Sequence, residues 1–355
     1  MDKRKNIAKA EKKTLSVEMV NFLELAEKML ADLPGRSVEI VRRRFGLFTH
    51  PGETLEKIGQ HYGITRERVR QIITEAIKSV GKKSSHDHFL SAEEKIIFTI
   101  INNGGIIRED DAIRKMNAST EQEANAVRFF VACSRKIFEV EERGVIEKSW
   151  IVSKDILGSI RKVVSEAEKS FLKNKSLLSD VEMTEKLSVI LPELPKDQLV
   201  NFLSVAGKVK KNRFGKWGMI DWMEISPKGT REKVHLILKE HKKPLHFTEI
   251  AGLIDRYALG KKKAHPQTVH NELIKDKRFV LVGRGIYALA EWGYFSGTIK
   301  DIIEVILKEA GRPMKKDEIV EKVLSMRHVK KTTIMINLNN RKFFQKKGDS
   351  YSLKK

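Results

Sequence analysis

Arg66, Glu67, Arg70 and Gln71 carry side chains of the types that read base edges. An arginine fork pairs with O6 and N7 of guanine, a glutamine with N6 and N7 of adenine, and a carboxylate accepts from N4 of cytosine. Helical spacing predicts that Glu67, Gln71, Thr74 and Lys78 point outward, with Arg68 and Arg70 on the flanks and Arg66 at the entrance. The opposite face is apolar: Val69, Ile72, Ile73, Ala76 and Ile77 recur every three or four residues and must turn inward. One such helix fits a major groove. A solvated charged face on a small helical bundle would show the same pattern, and the helix alone does not separate the two.

The elements that must hold this helix lie just upstream, in TLEKIGQHYGITRERVRQI from Thr54 to Ile72. Thr54 is placed to cap a first helix, in which Leu55, Ile58 and Tyr62 share a face. Gly63 stops that helix, Ile64 fills the corner, and Thr65 offers a hydroxyl to cap the next. Before them, Met19, Phe22, Leu23, Ala26, Met29, Leu30 and Leu33 predict an amphipathic helix ending at Leu33-Pro34. It is expected to pack on the following helix as core; a partner-binding groove is the alternative. After them, GKKSSHDHF (Gly81 to Phe89) reads as a polar linker. His86 and His88 in that linker lack the further ligands a metal site needs.

The segment LPGRSVEIVRRRFGLF (Leu33 to Phe48), followed by TLEKIG and GITRERVRQI, closely resembles region four of the sigma-70 family of bacterial sigma factors. That resemblance implies double-stranded DNA of a promoter −35-like element as ligand and RNA polymerase core as partner. Carried over by position, it implies Arg66, Glu67, Arg70 and Gln71 as major-groove readers, with Arg68 meeting phosphate or polymerase. A complete sigma factor also needs region two, whose aromatic-rich helix captures a melted strand by stacking. No such segment precedes residue 30, so an accessory or regulatory role is expected rather than autonomous promoter melting.

With 355 residues, 41% of them hydrophobic, the chain can build several cores, and its net charge of +22 favours a polyanionic partner. That charge is uneven. Residues 1–83 hold 18 Lys/Arg against 11 Asp/Glu, residues 84–230 hold 23 against 22, and residues 231–355 hold 28 against 14. Nucleic acid is therefore expected at the two ends, with another task for the middle.

Beyond the linker the chain repeats weakly. KIFEVEERGVIEKSW, KVKKNRFGKWGMIDW, RFVLVGRGIYALAEW and the closing KFFQKKGDSYSLKK each read as strand, turn and strand, centred on Gly144, Gly215, Gly285 and Gly348. Each follows a helix-rich stretch, which is the order of a winged helix. The expected fold class is mainly α with small β-hairpins, built as tandem helix-turn-helix and winged-helix domains. Their expected bounds are 1–83, 89–153, 154–227, 228–295 and 296–355.

HFTEI (His246 to Ile250), TVHNEL (Thr268 to Leu273), RFV (Arg278 to Val280) and GIYAL (Gly285 to Leu289) resemble the HARE helix-turn-helix. That winged-helix variety occurs in the RNA polymerase delta subunit, in some restriction systems and in chromatin-associated proteins. The last unit departs further, with PMKKDEIVEKV standing for PLHFTEI. Lys261, Lys262 and Lys263 before a third helix, with Lys277, Arg278 and Arg284 beyond it, are candidate phosphate contacts. So are Lys330 and Lys331 near the last third helix and Lys346 on its wing. Such contacts give salt-sensitive affinity with little sequence information. Basic wings can also serve solubility alone, and the neutral units suit protein docking better.

The single Cys133 excludes an internal disulfide and a cysteine-built zinc site, and it reads as a small buried residue. No apolar run has the length of a membrane span, and MDKRKN lacks a signal-peptide core, so a soluble, cytoplasmic protein is expected. Phosphate loop, GxSxG and HExxH motifs are absent, and His235, His241, His246 and His270 lack general-base partners. The expectation is a non-enzyme without cofactor, metal or small-molecule ligand. Three roles stay open: a factor at transcription initiation, a protein-interaction scaffold with nonspecific DNA affinity, and a specificity subunit of a DNA-modification or restriction system.

Overall fold

The computed structural model describes residues 20–48, 51–82, 86–294, 297–327 and 329–354. Met19, at the head of the expected amphipathic stripe, lies outside them. The protein is mainly α with small antiparallel hairpins, and the chain divides into two compact units: 1–175 with 180–210, and 176–179 with 211–355.

The first unit begins with α1 (Phe22–Leu30), α2 (Gly35–Phe45), α3 (Leu55–Tyr62) and α4 (Arg66–Lys82). It continues with α5 (Asp87–Ile101), β1 (Ile106–Arg108), α6 (Glu109–Lys115), α7 (Glu121–Cys133), β2 (Phe138–Glu142) and β3 (Ile146–Ile151). Asn21 caps α1 by accepting from the Glu24 amide at 3.1 Å. The apolar stripe of α1 closes chiefly on α7 and α5 rather than on α2, with the Phe22 ring edge-on to Phe130 at 6.2 Å. Ile40 of α2 is committed to the helix-turn-helix core instead, while Val41 joins α1, α5 and α7 in the larger one.

The polar stretch from Gly81 is not a linker throughout. Gly81 and Lys82 complete α4, Asp87 opens α5, and residues 83–85 lie outside the described ones. Gly81 has a packing reason: a Cβ there would stand 2.6 Å from the Cys133 carbonyl oxygen, so two backbones meet where only glycine fits. Cys133 is buried, and burial pushes its thiol far above the ordinary range, as expected of an inert core thiol. The helix-turn-helix and the next unit therefore share one core, in which Phe89, Phe129, Phe130 and Trp150 are almost wholly buried.

In this sheet the strand order is β1-β3-β2, with Ile107 opposite Trp150 and a bulge between Val140 and Glu142. α8 (Leu157–Asn174), α9 (Asp180–Ile190) and α10 (Lys196–Ser204) complete the unit. The chain then runs through β4 (Val209–Lys211).

In the second unit, β5 (Trp217–Met219) bridges back to Leu178. Then come α11 (Thr230–His241), β6 (Leu245–His246), α12 (Phe247–Arg256), α13 (Pro266–Lys275), β7 (Phe279–Gly283) and β8 (Ile286–Leu289). The chain ends with α14 (Ile299–Ala310), β9 (Met314–Lys315), α15 (Lys316–Met326), α16 (Lys331–Leu338), β10 (Phe344–Lys347) and β11 (Ser350–Leu353). Both sheets here repeat the connectivity of the first, since a short strand before the second helix pairs with the returning strand of the hairpin, giving β6-β8-β7 and β9-β11-β10. The four expected turn glycines all take positive φ: 76° at Gly144, 78° at Gly215, 69° at Gly285 and 59° at Gly348. That shared left-handed corner lets each hairpin close tightly.

Candidate nucleic-acid interface

The helix-turn-helix is assembled by short-range chemistry. Thr54 Oγ1 accepts from the Lys57 amide at 3.2 Å, and Thr65 Oγ1 from the Arg68 amide at 3.1 Å, so both helix starts are capped. Gly63, at φ 63°, ends α3. A Cβ on Gly59 would lie 2.7 Å from the Ile64 carbonyl oxygen, and this close approach fixes the crossing of α3 and α4. Ile40, Ile58, Val69 and Ile73 form the core between them. Arg36 donates to the Tyr62 carbonyl at 3.2 Å and lies 5.6 Å from the Tyr62 ring, tying α2 to the end of α3.

With Val69, Ile73 and Ala76 turned inward, Arg66, Glu67, Arg68, Arg70, Gln71 and Lys78 are all exposed. The Arg70 side chain is 60% exposed and donates twice to Glu67, at 2.9 and 2.6 Å, which presets the plane of its guanidinium fork. The hydrogen bond from Arg70 holds the Glu67 carboxyl below its usual range. Arg68 donates to Gln71 Oε1 at 3.1 Å. Four polar side chains are thus coupled in two pairs within one turn of helix. Thr74 differs: it is half-buried, and its hydroxyl donates to the Arg70 carbonyl at 2.9 Å, turned back on its own helix.

A cleft of about 930 Å³ opens beside α4, within the first unit. Arg70, Ile73 and Thr74 line one side, and Arg128, Phe138, Lys148 and Lys154 line the other. Behind the far wall, the nearly buried Glu109 is held by Arg128 at 2.6 Å and Lys148 at 2.8 Å. Burial alone would raise the Glu109 carboxyl, but Lys148 and Arg128 outweigh it and leave it below the usual range. Sequence reasoning missed this second wall. The residues facing α4 from α7, β2 and β3 are between 50 and 80 positions away in sequence, and no local spacing signals them.

In the second unit the basic residues fall in separate places. Lys261, Lys262 and Lys263 line a pocket of about 440 Å³ with Lys233 and His265, at the start of α13, where Pro266 takes the first helical position. Arg284 is exposed at the β7–β8 turn, Lys330 and Lys331 at the start of α16, and Lys346 on β10. Arg278 is committed elsewhere, donating to Asp276 at 2.6 Å. The histidines of this module pack and cap. His246 accepts from the Thr248 amide at 3.4 Å to start α12, and His270 stacks on Phe247 at 4.5 Å. Gly285 is required beside them, because a Cβ there would come 2.5 Å from His246 Nε2.

His235 on α11 has a buried Nδ1 with no hydrogen-bond partner. Burial first, then Arg278 and Lys239, lower its pKa below the usual 6.5. A depressed histidine leaves the unfolded chain with the higher proton affinity. Its contribution to stability is therefore full above pH 6.5 and is lost as pH falls through the folded value. The thermal midpoint of this module should drop between pH 7.5 and 5.5, and less in His235→Gln. Equal drops in both proteins would refute the assignment.

Residues 29–81 match the family model for sigma-70, region 4, and residues 230–292 match the HARE-HTH model, the helix-turn-helix domain of ASXL and restriction endonuclease proteins. RNA polymerase sigma factor RpoD of Neisseria gonorrhoeae is 32% identical over 74 residues, a match covering 20% of this chain and 12% of that protein. No helix among the described residues is long and apolar enough to cross a membrane. The chain thus joins a sigma-70 region 4 helix-turn-helix at residues 29–81 to a HARE-type helix-turn-helix at residues 230–292.

Proposed function

We propose that this protein is a non-enzymatic DNA-binding factor of transcription initiation. It reads −35-like promoter DNA through α4, docks on RNA polymerase core, and adds phosphate contacts from its basic winged helices. The observation that carries this reading is the exposed set Arg66, Glu67, Arg70 and Gln71 on the second helix of a region 4 match, held outward by the buried Val69 and Ile73. Lys261 to Lys263, Arg284, Lys330, Lys331 and Lys346 are exposed, as phosphate contacts require. The units span 89–153, 154–227, 228–295 and 296–355 in this proposal, with the helix-turn-helix before them.

A second reading, a scaffold of the transcription machinery, is favoured by Val181, Val189 and Ile190 on α9, which are 64%, 83% and 50% exposed. Selection of bound duplexes from a randomised pool by the full chain at physiological salt separates the two. A −35-like motif is the expected result. Even retention of all sequences, with polymerase still bound, would leave only the scaffold.

A further inference from the structure

The cleft beside α4 is lined from two domains. On the helix-turn-helix side stand Arg70 and Thr74 of α4, and Thr54 and Leu55 at the start of α3. Opposite them stand Arg128, Lys148 and Lys154 of the winged unit. We infer that this first winged unit is itself a DNA-backbone contact: a duplex seated on α4 passes one phosphate strand through the cleft, where Lys148 and Lys154 meet it. The inference rests on the reading of α4 as a major-groove helix.

Groove geometry requires a strand here. A helix lying in a major groove has a sugar-phosphate strand along each flank, and the helix before it crosses the backbone. The start of α3 and the Arg70–Thr74 flank of α4 open on the same cleft, so one of those strands must pass through it.

The cleft is also rigid. The two walls share one hydrophobic core, the backbones of Gly81 and Cys133 are in close approach, and the Asn125 amide donates to the Gly46 carbonyl at 3.2 Å. Close-packed interiors transmit strain rather than yield to it, so the winged unit does not swing aside when a duplex arrives. It must receive the strand or block it.

Charge decides which. Of the acidic residues lining the cleft, Glu53 is already engaged by Lys57 at 3.1 Å, and Glu139 lies 3.4 Å from Lys148. Lys154 is exposed and has no carboxylate partner among the described residues; its ammonium rests 4.9 Å from the centre of the Phe138 ring. A cation held over an aromatic face keeps its donors available to a phosphate. Trp150 also lines the cleft, and its buried indole N–H has no acceptor. The overall neutrality of residues 84–230 thus conceals a local surplus of positive charge beside the reading helix.

The test titrates the full chain with a preferred and a scrambled duplex against salt, unaltered and as Lys154→Ala and the Lys148→Ala/Lys154→Ala pair. The slope of log K against log salt should fall by about 0.9 for each phosphate contact removed. Both duplexes should weaken by the same factor, with base preference kept. Unchanged slopes with base preference intact would overturn this inference and leave the reading of α4 standing. Absence of base preference in the unaltered chain would remove both. Polyglutamate, offered as a competitor, covers the remaining possibility: if its binding depends on these lysines while the duplex slope does not, the cleft takes acidic protein and the inference fails. Lys148 also holds the buried Glu109, so the exposed Lys154→Ala change alone carries the test should the pair fail to fold.

Discussion

Arg70→Ala should cost about 1–3 kcal/mol of discrimination at one base-pair position and much less on a scrambled duplex. The asymmetry follows from the Arg70 fork, which Glu67 orients by two hydrogen bonds on an exposed face of α4. A guanidinium already held in plane loses less freedom when it meets a guanine edge. Arg70→Lys should therefore lose most of the discrimination while keeping the charge. Lys331→Ala serves as the contrast. It lies at the start of α16 with no base-reading fork, and it should weaken every duplex alike. Equilibrium titrations with one base pair varied at a time check both results. Uniform loss in the Arg70 variants would reassign that side chain to phosphate.

A second large effect is expected from Phe130→Ala, which should destabilise the first unit by about 3–5 kcal/mol. Phe130 is 1% exposed and sits among Phe22 at 6.2 Å, Phe89 at 5.8 Å and Phe129 at 5.7 Å. These rings come from α1, α5 and α7, so the cavity opens where the helix-turn-helix meets the winged unit. If the shared core is one cooperative body, amide protons of α4 should lose protection together with those of α5 and α7. Hydrogen exchange reads this directly. Protection of α4 that survives while α7 opens would show two independent bodies.

The contrast between what was legible and what was not has a consistent physical origin. Thr54, Gly63 and Thr65 announce their caps and turn in sequence because capping and left-handed φ are satisfied within three or four residues. The inward stripe of α4 and the turn glycines Gly144, Gly215, Gly285 and Gly348 are legible for the same reason. Thr74 shows the limit: spacing puts it outward, yet its hydroxyl finds the Arg70 carbonyl, a choice that depends on the local rotamer.

The sequence by itself determined the helix-turn-helix, the hairpins and the outward set on α4, because periodicity and capping are local properties of the chain. Only the tertiary structure decided where α1 packs, that Gly81 belongs to a helix joint rather than a linker, and that Lys148 and Lys154 stand across a cleft from Arg70. Those outcomes depend on which apolar faces are left to pair after the local elements have formed, and a face carries no record of its partner's position in the chain.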